Sequence, residues 1–122
     1  MSNLTNRPLR ILVTGGSGFL GRAIVDELLL ADSPVSVGVI IVFDIQVLEG
    51  ITDPRVQYIK GDVCHPDGIA SACADIDVVI HTAAIVDWGT RKPGEVYHVN
   101  FMGTQHVLDA CRMNNVPLLL FT

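Results

Sequence analysis

The chain has 122 residues, a length that suits one domain with a real core, and 49% of them are apolar. Its mean hydropathy is positive, yet no apolar run approaches the roughly 18 residues a membrane-spanning helix needs, so the apolar excess belongs to short strands covered on both faces. A net charge of −5, with no basic run and no interleaving of aromatic and basic residues, argues against nucleic acid as a partner.

Met1 to Arg10 carries two arginines but no apolar stretch ahead of the first strand, so it does not read as a secretory signal. Arg10–Thr14 reads as strand one. It runs into Thr14-Gly15-Gly16-Ser17-Gly18-Phe19-Leu20-Gly21, three glycines three residues apart between a strand and a helix. That pattern is built for a dinucleotide pyrophosphate. Gly15 permits the tight turn, Gly18 lets the backbone approach the phosphates, and Gly21 lets the helix lie close on the sheet. The helix start adds free N–H groups and a positive dipole end.

Helix one is expected over Gly18–Ala31, with Leu20, Ile24 and Leu28 on its apolar face and Arg22 with Asp26 as an exposed pair. Asp32-Ser33-Pro34 ends it. Val37–Asp44 is strand two. Gln46–Arg55 is too short, and too broken by Gly50 and Pro54, for a long crossover helix. Val56–Lys60 is strand three, His65–Cys73 a short helix with Pro66 near its first turn, and Asp77–Thr82 strand four. After a loop over Ile85–Lys92, Pro93–Asn114 reads as one long helix with Val96, Gly103, Val107 and Ala110 on one face. Asn114-Asn115 and Pro117 stop it, and Leu118–Thr122 begins a fifth strand. This succession predicts an α/β domain over residues 1–122: a Rossmann-type open parallel sheet with helices on both faces, truncated after the start of strand five.

Ligands of such sheets bind beyond the carboxyl ends of the strands. Asp44 closes strand two a little over 20 residues after the last motif glycine, where a carboxylate accepts hydrogen bonds from the adenosine ribose and repels a 2′-phosphate. No Arg or Lys follows closely to welcome such a phosphate, so NAD is favoured over NADP. Gly61-Asp62-Val63 follows strand three. A carboxylate and a backbone N–H there suit an adenine edge, and Gly-Asp is equally an ordinary turn pair. Ala83 and Ala84 at the end of strand four permit close backbone approach to a cofactor. His81 reads as a core histidine rather than a catalytic one, and Asn100 inside an apolar helix face reads as structural. Trp88, between Asp87 and Gly89, either lines a substrate cavity or covers the sheet. Cys64, Cys73 and Cys111 are odd in number and lack metal-ligand spacing, as do His65, His98 and His106. Reduced thiols and no metal site are expected, with Cys111 as helix packing.

The glycine motif, Asp44, Gly61-Asp62-Val63, His81-Thr82-Ala83-Ala84 and Val99-Asn100-Phe101-Met102-Gly103-Thr104 occur together and in order. The set resembles the extended short-chain dehydrogenase/reductases. Within them, Val42-Phe43-Asp44-Ile45-Gln46 and Val78 to Asp87 resemble the 3β-hydroxysteroid dehydrogenase and sterol-4α-carboxylate 3-dehydrogenase branch. The resemblance implies that Gly15, Gly18, Phe19, Leu20 and Gly21 lie along the pyrophosphate of NAD. It implies that Asp44 holds the adenosine ribose, that Asp62 and Val63 contact adenine, and that Ala83 and Ala84 line the cofactor channel. It gives Asn100 a supporting role for an active-site water and the proton relay.

The resemblance also implies a catalytic serine and a Tyr-x-x-x-Lys pair, and neither is in this chain. Tyr58 stands in strand three, and Tyr97 is followed four residues on by Phe101. The expectation is therefore the dinucleotide-binding half of an enzyme that oxidises the 3β-hydroxyl of a steroid or sterol, the 122 residues alone being inactive and prone to aggregate through an unpaired strand five. A naturally truncated, non-catalytic module that binds NAD or a partner stays open. So does a dihydroflavonol-reductase-like or nucleotide-sugar-modifying enzyme. A cytoplasmic location is expected, with attachment to the endoplasmic reticulum through a further C-terminal segment, and a homodimer, left open.

Overall fold

A computed structural model describes residues 7–84 and 92–122. The sequence readings on Trp88, Asp87 and Gly89, and the Ile85–Asp87 end of the steroid-branch motif, lie outside the described residues.

The chain forms β1 (Leu9–Thr14), α1 (Phe19–Leu28), β2 (Val37–Asp44), β3 (Val56–Lys60), α2 (Pro66–Ala72), β4 (Val78–His81), α3 (Pro93–Tyr97), a π-helical turn over His98–Met102, α4 (Gly103–Met113) and β5 (Leu118–Phe121). The five strands pair in parallel in the order β3-β2-β1-β4-β5. Successive strands first build outward from β1 through β2 to β3. The chain then crosses back to lay β4 on the other side of β1. The junction of β1 and β4 is where a doubly wound sheet opens a crevice at its strand ends. This is the Rossmann-type sheet that the alternating pattern predicts.

Residues of the central strands β1, β2 and β4 alternate between two cores, which is why these strands carry long apolar runs. Leu12, Ile41, Phe43 and Val79 face α2 and α4, packing with Ile69, Cys73, Val107, Ala110 and Cys111. Ile11, Val13, Ile40, Val42 and Ile80 face the other way, with Val25 of α1. Fully buried side chains of this kind stabilise the fold by about 1.5–3 kcal/mol each. At the foot of the sheet the Arg7 guanidinium grips the Asp77 carboxylate, which also accepts the Arg10 N–H at 2.9 Å. The hydrogen bond from Arg7 holds the Asp77 carboxyl below its ordinary range.

Three expectations change. Helix one ends at Leu28 rather than Ala31, because the chain turns through Leu29 to Ser33, with Ser33 N–H bonding Leu30 C=O at 3.0 Å ahead of Pro34. Its buried face is Gly21 and Val25, while Ile24 and Leu28 are half-buried and Leu20 is exposed. The long helix over Pro93–Asn114 is not one α-helix. It holds one π-helical turn centred on Asn100, and its end is fixed by the Asn114 side-chain amide, which donates to Ala110 and Ala70 carbonyls. Residues 45–55 form a crossover without a helix, as their Gly50 and Pro54 predict. No helix among the described residues is long and apolar enough to cross a membrane.

Candidate dinucleotide site

The carboxyl ends of β1, β2 and β4 open into a cleft of about 790 Å³. Gly15, Gly18, Phe19, Leu20 and Gly21 line it, opposite Asp44, Asp62 and Val63, with Ala83 and Ala84 at the end of β4. The structure thus gathers around one cleft ten residues that the sequence picks out in four separate stretches. Asn100 is not among the lining residues; its neighbours His98 and Val99 are.

The glycine turn is built from the backbone outward. Gly15 has φ +70°, a left-handed conformation, and a Cβ on it would stand 2.8 Å from Ala83 N. Its own N–H bonds the Phe43 carbonyl at 2.9 Å, which ties the turn to β2. Gly21 differs from its sequence reading. A Cβ there would strike the turn itself, at Gly15 O and Gly16 Cα, rather than the sheet. The glycine that lets the turn lie on the sheet is Gly16, whose Cβ would come 2.7 Å from Val42 Cγ1. Gly18 needs no special backbone angle (φ −82°), and a Cβ on it would meet only Gly15 O, at 3.3 Å. The room beside Gly18 belongs to the cleft. The first-turn N–H groups of Phe19, Leu20 and Gly21 have no partner one turn back, so they and the helix dipole favour an anion there.

Asp44 is held by that same turn. Its Oδ2 accepts the Ser17 N–H at 3.0 Å, its Oδ1 accepts the Gln46 N–H at 2.8 Å, and its carbonyl accepts the Tyr58 hydroxyl at 3.0 Å. The Ser17 hydroxyl donates to Gln46 O at 2.9 Å. Ser17 was not a sequence candidate, because nothing local announces a contact with a residue 27 positions on. No Lys or Arg side chain lines the cleft among the described residues.

Asp62 turns its carboxylate onto the Cys64 N–H at 2.9 Å. Burial first, then the hydrogen bond to Asp62, pushes the Cys64 thiol up to about 11, so it is a poor nucleophile. Val63 is clamped from α4: the His106 Nδ1–H donates to its carbonyl at 2.7 Å, and a Cβ on Gly103 would stand 2.6 Å from its side chain. Gly61 lies against the Phe43 ring, where any Cβ would overlap it.

Behind the cleft, His81 is only 2% exposed, and burial lowers its pKa to about 4. It bonds the Thr14 hydroxyl at 2.6 Å through Nδ1 and the Thr104 hydroxyl at 3.0 Å through Nε2. Thr14 and Thr104 stand inside the sequence motifs but carry no site role there, because the sequence has no way to show that one imidazole joins them. Tyr97 and Phe101 stack on each other at 5.1 Å, both more than half exposed. Cys73 and Cys111 lie buried in the core between α2 and α4, and hydrogen bonding to Cys111 with burial raises the Cys73 thiol. No cluster of His, Cys, Asp and Glu able to hold a metal occurs among the described residues.

The chain is similar to rat 3 beta-hydroxysteroid dehydrogenase type 7, at 43% identity over 117 residues covering 91% of this chain and 34% of that protein. It is similar to mouse sterol-4-alpha-carboxylate 3-dehydrogenase, decarboxylating, at 34% identity over 122 residues covering all of this chain and 32% of that one. The chain therefore spans about a third of the length of these curated relatives. Among solved structures, a double mutant of the dTDP-glucose 4,6-dehydratase DesIV from Streptomyces venezuelae, with NAD bound, superposes with a TM-score of 0.80. It is 29% identical, covering 91% of this chain and 38% of that one. The model of the 3-beta hydroxysteroid dehydrogenase/isomerase family matches residues 12–122, and with the glycine turn, Asp44 and the sheet order in place, the chain belongs to that family.

Proposed function

We propose that this chain binds NAD in the cleft above β1, β2 and β4, as the dinucleotide-binding part of an enzyme that oxidises the 3β-hydroxyl of a steroid or sterol. One observation carries the reading: the Ser17 N–H holds the Asp44 carboxylate at 3.0 Å. A pyrophosphate lying on the Gly15–Gly21 turn would then place the adjoining adenosine ribose within reach of Asp44. The residues fit the group, because a side chain at Gly18 would stand in the cleft rather than in the protein. The Asp44 charge, and a lining without Lys or Arg among the described residues, favour a ribose with a free 2′-hydroxyl.

NAD supplies hydride acceptance at its nicotinamide. The residues of this chain bind and orient it. Gly18 and the first-turn N–H groups of α1 take the pyrophosphate, and Asp44 accepts the ribose hydroxyls. Asp62 and Val63 border the adenine, and Ala83 and Ala84 leave room along the channel. The steroid or sterol alcohol is supported by the relatives, which are named as 3 beta-hydroxysteroid and sterol-4-alpha-carboxylate 3-dehydrogenases, and the catalytic serine and Tyr-x-x-x-Lys pair of the family pattern are not among these residues. A cytoplasmic location with access to sterol in the endoplasmic reticulum membrane goes with this reading, and a homodimer remains to be measured by sedimentation.

An NADH fluorescence titration tests the proposal. Binding is expected, with steady alcohol turnover absent from the 122 residues alone. Asp44→Ala is expected to lower the preference for NADH over NADPH about tenfold, the size of one lost charge-assisted pair and one lost repulsion. An unchanged ratio would remove Asp44 from the ribose role.

A further inference from the structure

We propose that Thr14, His81 and Thr104 form one directional hydrogen-bond chain that fixes the two banks of the cleft relative to each other, making His81 and Thr104 positioning residues for the dinucleotide. The inference rests on the NAD reading for its function but not for its geometry.

The direction of each bond follows from donor and acceptor counts. The Thr14 hydroxyl oxygen accepts the Ala83 N–H at 3.2 Å and shares the Thr82 N–H, at 3.1 Å, with the Thr14 carbonyl. Facing two N–H donors, it gives its own proton to His81 Nδ1 at 2.6 Å. An accepting Nδ1 places the imidazole proton on Nε2, which donates to the Thr104 hydroxyl oxygen at 3.0 Å. The Thr104 proton then goes to the Asn100 carbonyl at 2.9 Å. Only a neutral imidazole with its proton on Nε2 completes this chain. A second proton on Nδ1 would point a third donor at an oxygen that two backbone N–H groups already face.

The ends of the chain explain its consequence. At one end, Thr82 and Ala83 line the cleft beside Gly15, whose own conformation leaves no room between it and Ala83 N. At the other end, Asn100 sits in the π-helical turn whose His98 and Val99 line the opposite bank. Thr104 lies one turn later, where the π-helical hydrogen-bond pattern reverts to α, and its hydroxyl gives the Asn100 carbonyl a side-chain partner. Neither Thr14, His81 nor Thr104 lines the cleft. The His81 ring bonds Thr14 of β1 and Thr104 of α4 and lies beside the Phe121 ring of β5, while the Thr122 hydroxyl donates to the His81 carbonyl; none of these groups is charged.

Two measurements test this without confusing it with cofactor binding. In the unsubstituted protein, histidine ¹⁵N spectra are expected to show His81 with a protonated Nε2 and a bare Nδ1; the opposite tautomer overturns the chain. Thr104→Val keeps the shape and removes the hydroxyl. It is expected to move the backbone amide signals of Thr82 and Ala83, although it touches neither, and to weaken NADH binding about tenfold, as loss of one or two buried hydrogen bonds would. Thr104→Ser is expected to restore both. Unmoved amide signals in folded Thr104→Val, unchanged NADH affinity, or a serine variant that behaves like valine each overturn the proposal. If the unsubstituted protein takes up no NADH, the NAD reading falls, and with it the positioning role, while the tautomer and amide signals still decide whether the chain exists.

Discussion

Gly18→Val is expected to abolish NADH binding and to leave the fold intact. The expectation follows from where the new atoms go. Gly18 adopts an extended backbone angle that any residue tolerates, and a Cβ there meets only Gly15 O at 3.3 Å. The side chain would therefore fill the space in which a pyrophosphate must approach the N–H groups of α1. The cost to the fold is that of a poor helix N-cap, about 0.5–1 kcal/mol. The cost to binding is the whole phosphate contact, and a rise in Kd of at least about a hundredfold is expected. Gly21→Ala is the contrasting case. Its methyl group would overlap the Gly15 carbonyl, and the turn cannot yield without moving the end of β1. That variant is expected to lose thermal stability and binding together, by about 3 kcal/mol or more in stability. A titration and a thermal melt on both variants check the pair. If Gly18→Val binds NADH as the unsubstituted chain does, the phosphate assignment is wrong.

Stability is expected to fall as pH drops from 6.5 to 4, and His81 is the cause. Burial lowers its folded pKa to about 4 from an ordinary value of 6.5. Between these two values the unfolded chain binds a proton that the folded chain refuses. Stability therefore rises with pH across that window and is independent of this group above it. The loss is complete near pH 4, below which both states carry the proton. It amounts to about 3 kcal/mol, a large share of the stability of a small domain. Asp77 acts lower down: Arg7 holds its carboxyl below the usual range, so its contribution is present above about 4 and is lost as pH falls further. Denaturant unfolding at pH 7, 5 and 4 measures the slope. His81→Gln, which cannot take up a proton, is expected to flatten it between pH 6.5 and 4. An unchanged slope in that variant would move the cause away from the buried imidazole.

The central strands β1, β2 and β4 were legible as apolar runs, which burial on both faces demands, and the edge strands β3 and β5 as short runs bounded by turn residues. The cleft residues were legible for a related reason: in a parallel sheet all carboxyl ends meet on one edge, so Gly15–Gly21, Asp44, Asp62-Val63 and Ala83-Ala84 converge once the strands are placed. Helix boundaries were less legible. Leu20 sits on the apolar spacing of helix one, yet it faces the cleft, since the stripe buried on the sheet runs through Gly21 and Val25.

What local pattern settles here is the order and kind of the elements, the position of the glycine turn, and the acidic residue that ends β2. These depend on neighbours within a few residues, where backbone freedom and apolar spacing act directly. What only packing settles is the use of those parts. Gly16 rather than Gly21 meets the sheet, because Val42 occupies the space beneath the turn. Ser17 holds Asp44 across 27 residues, and His81 joins Thr14 to Thr104 across 67 and 23. The π-helical turn at Asn100 belongs with these: its residues read as ordinary helix, and it is the Thr104 hydroxyl, held by His81, that meets the Asn100 carbonyl there. A hydrogen bond between distant residues leaves no periodic trace in a chain, since either partner alone is an ordinary threonine, serine or histidine until folding brings the other within 3 Å.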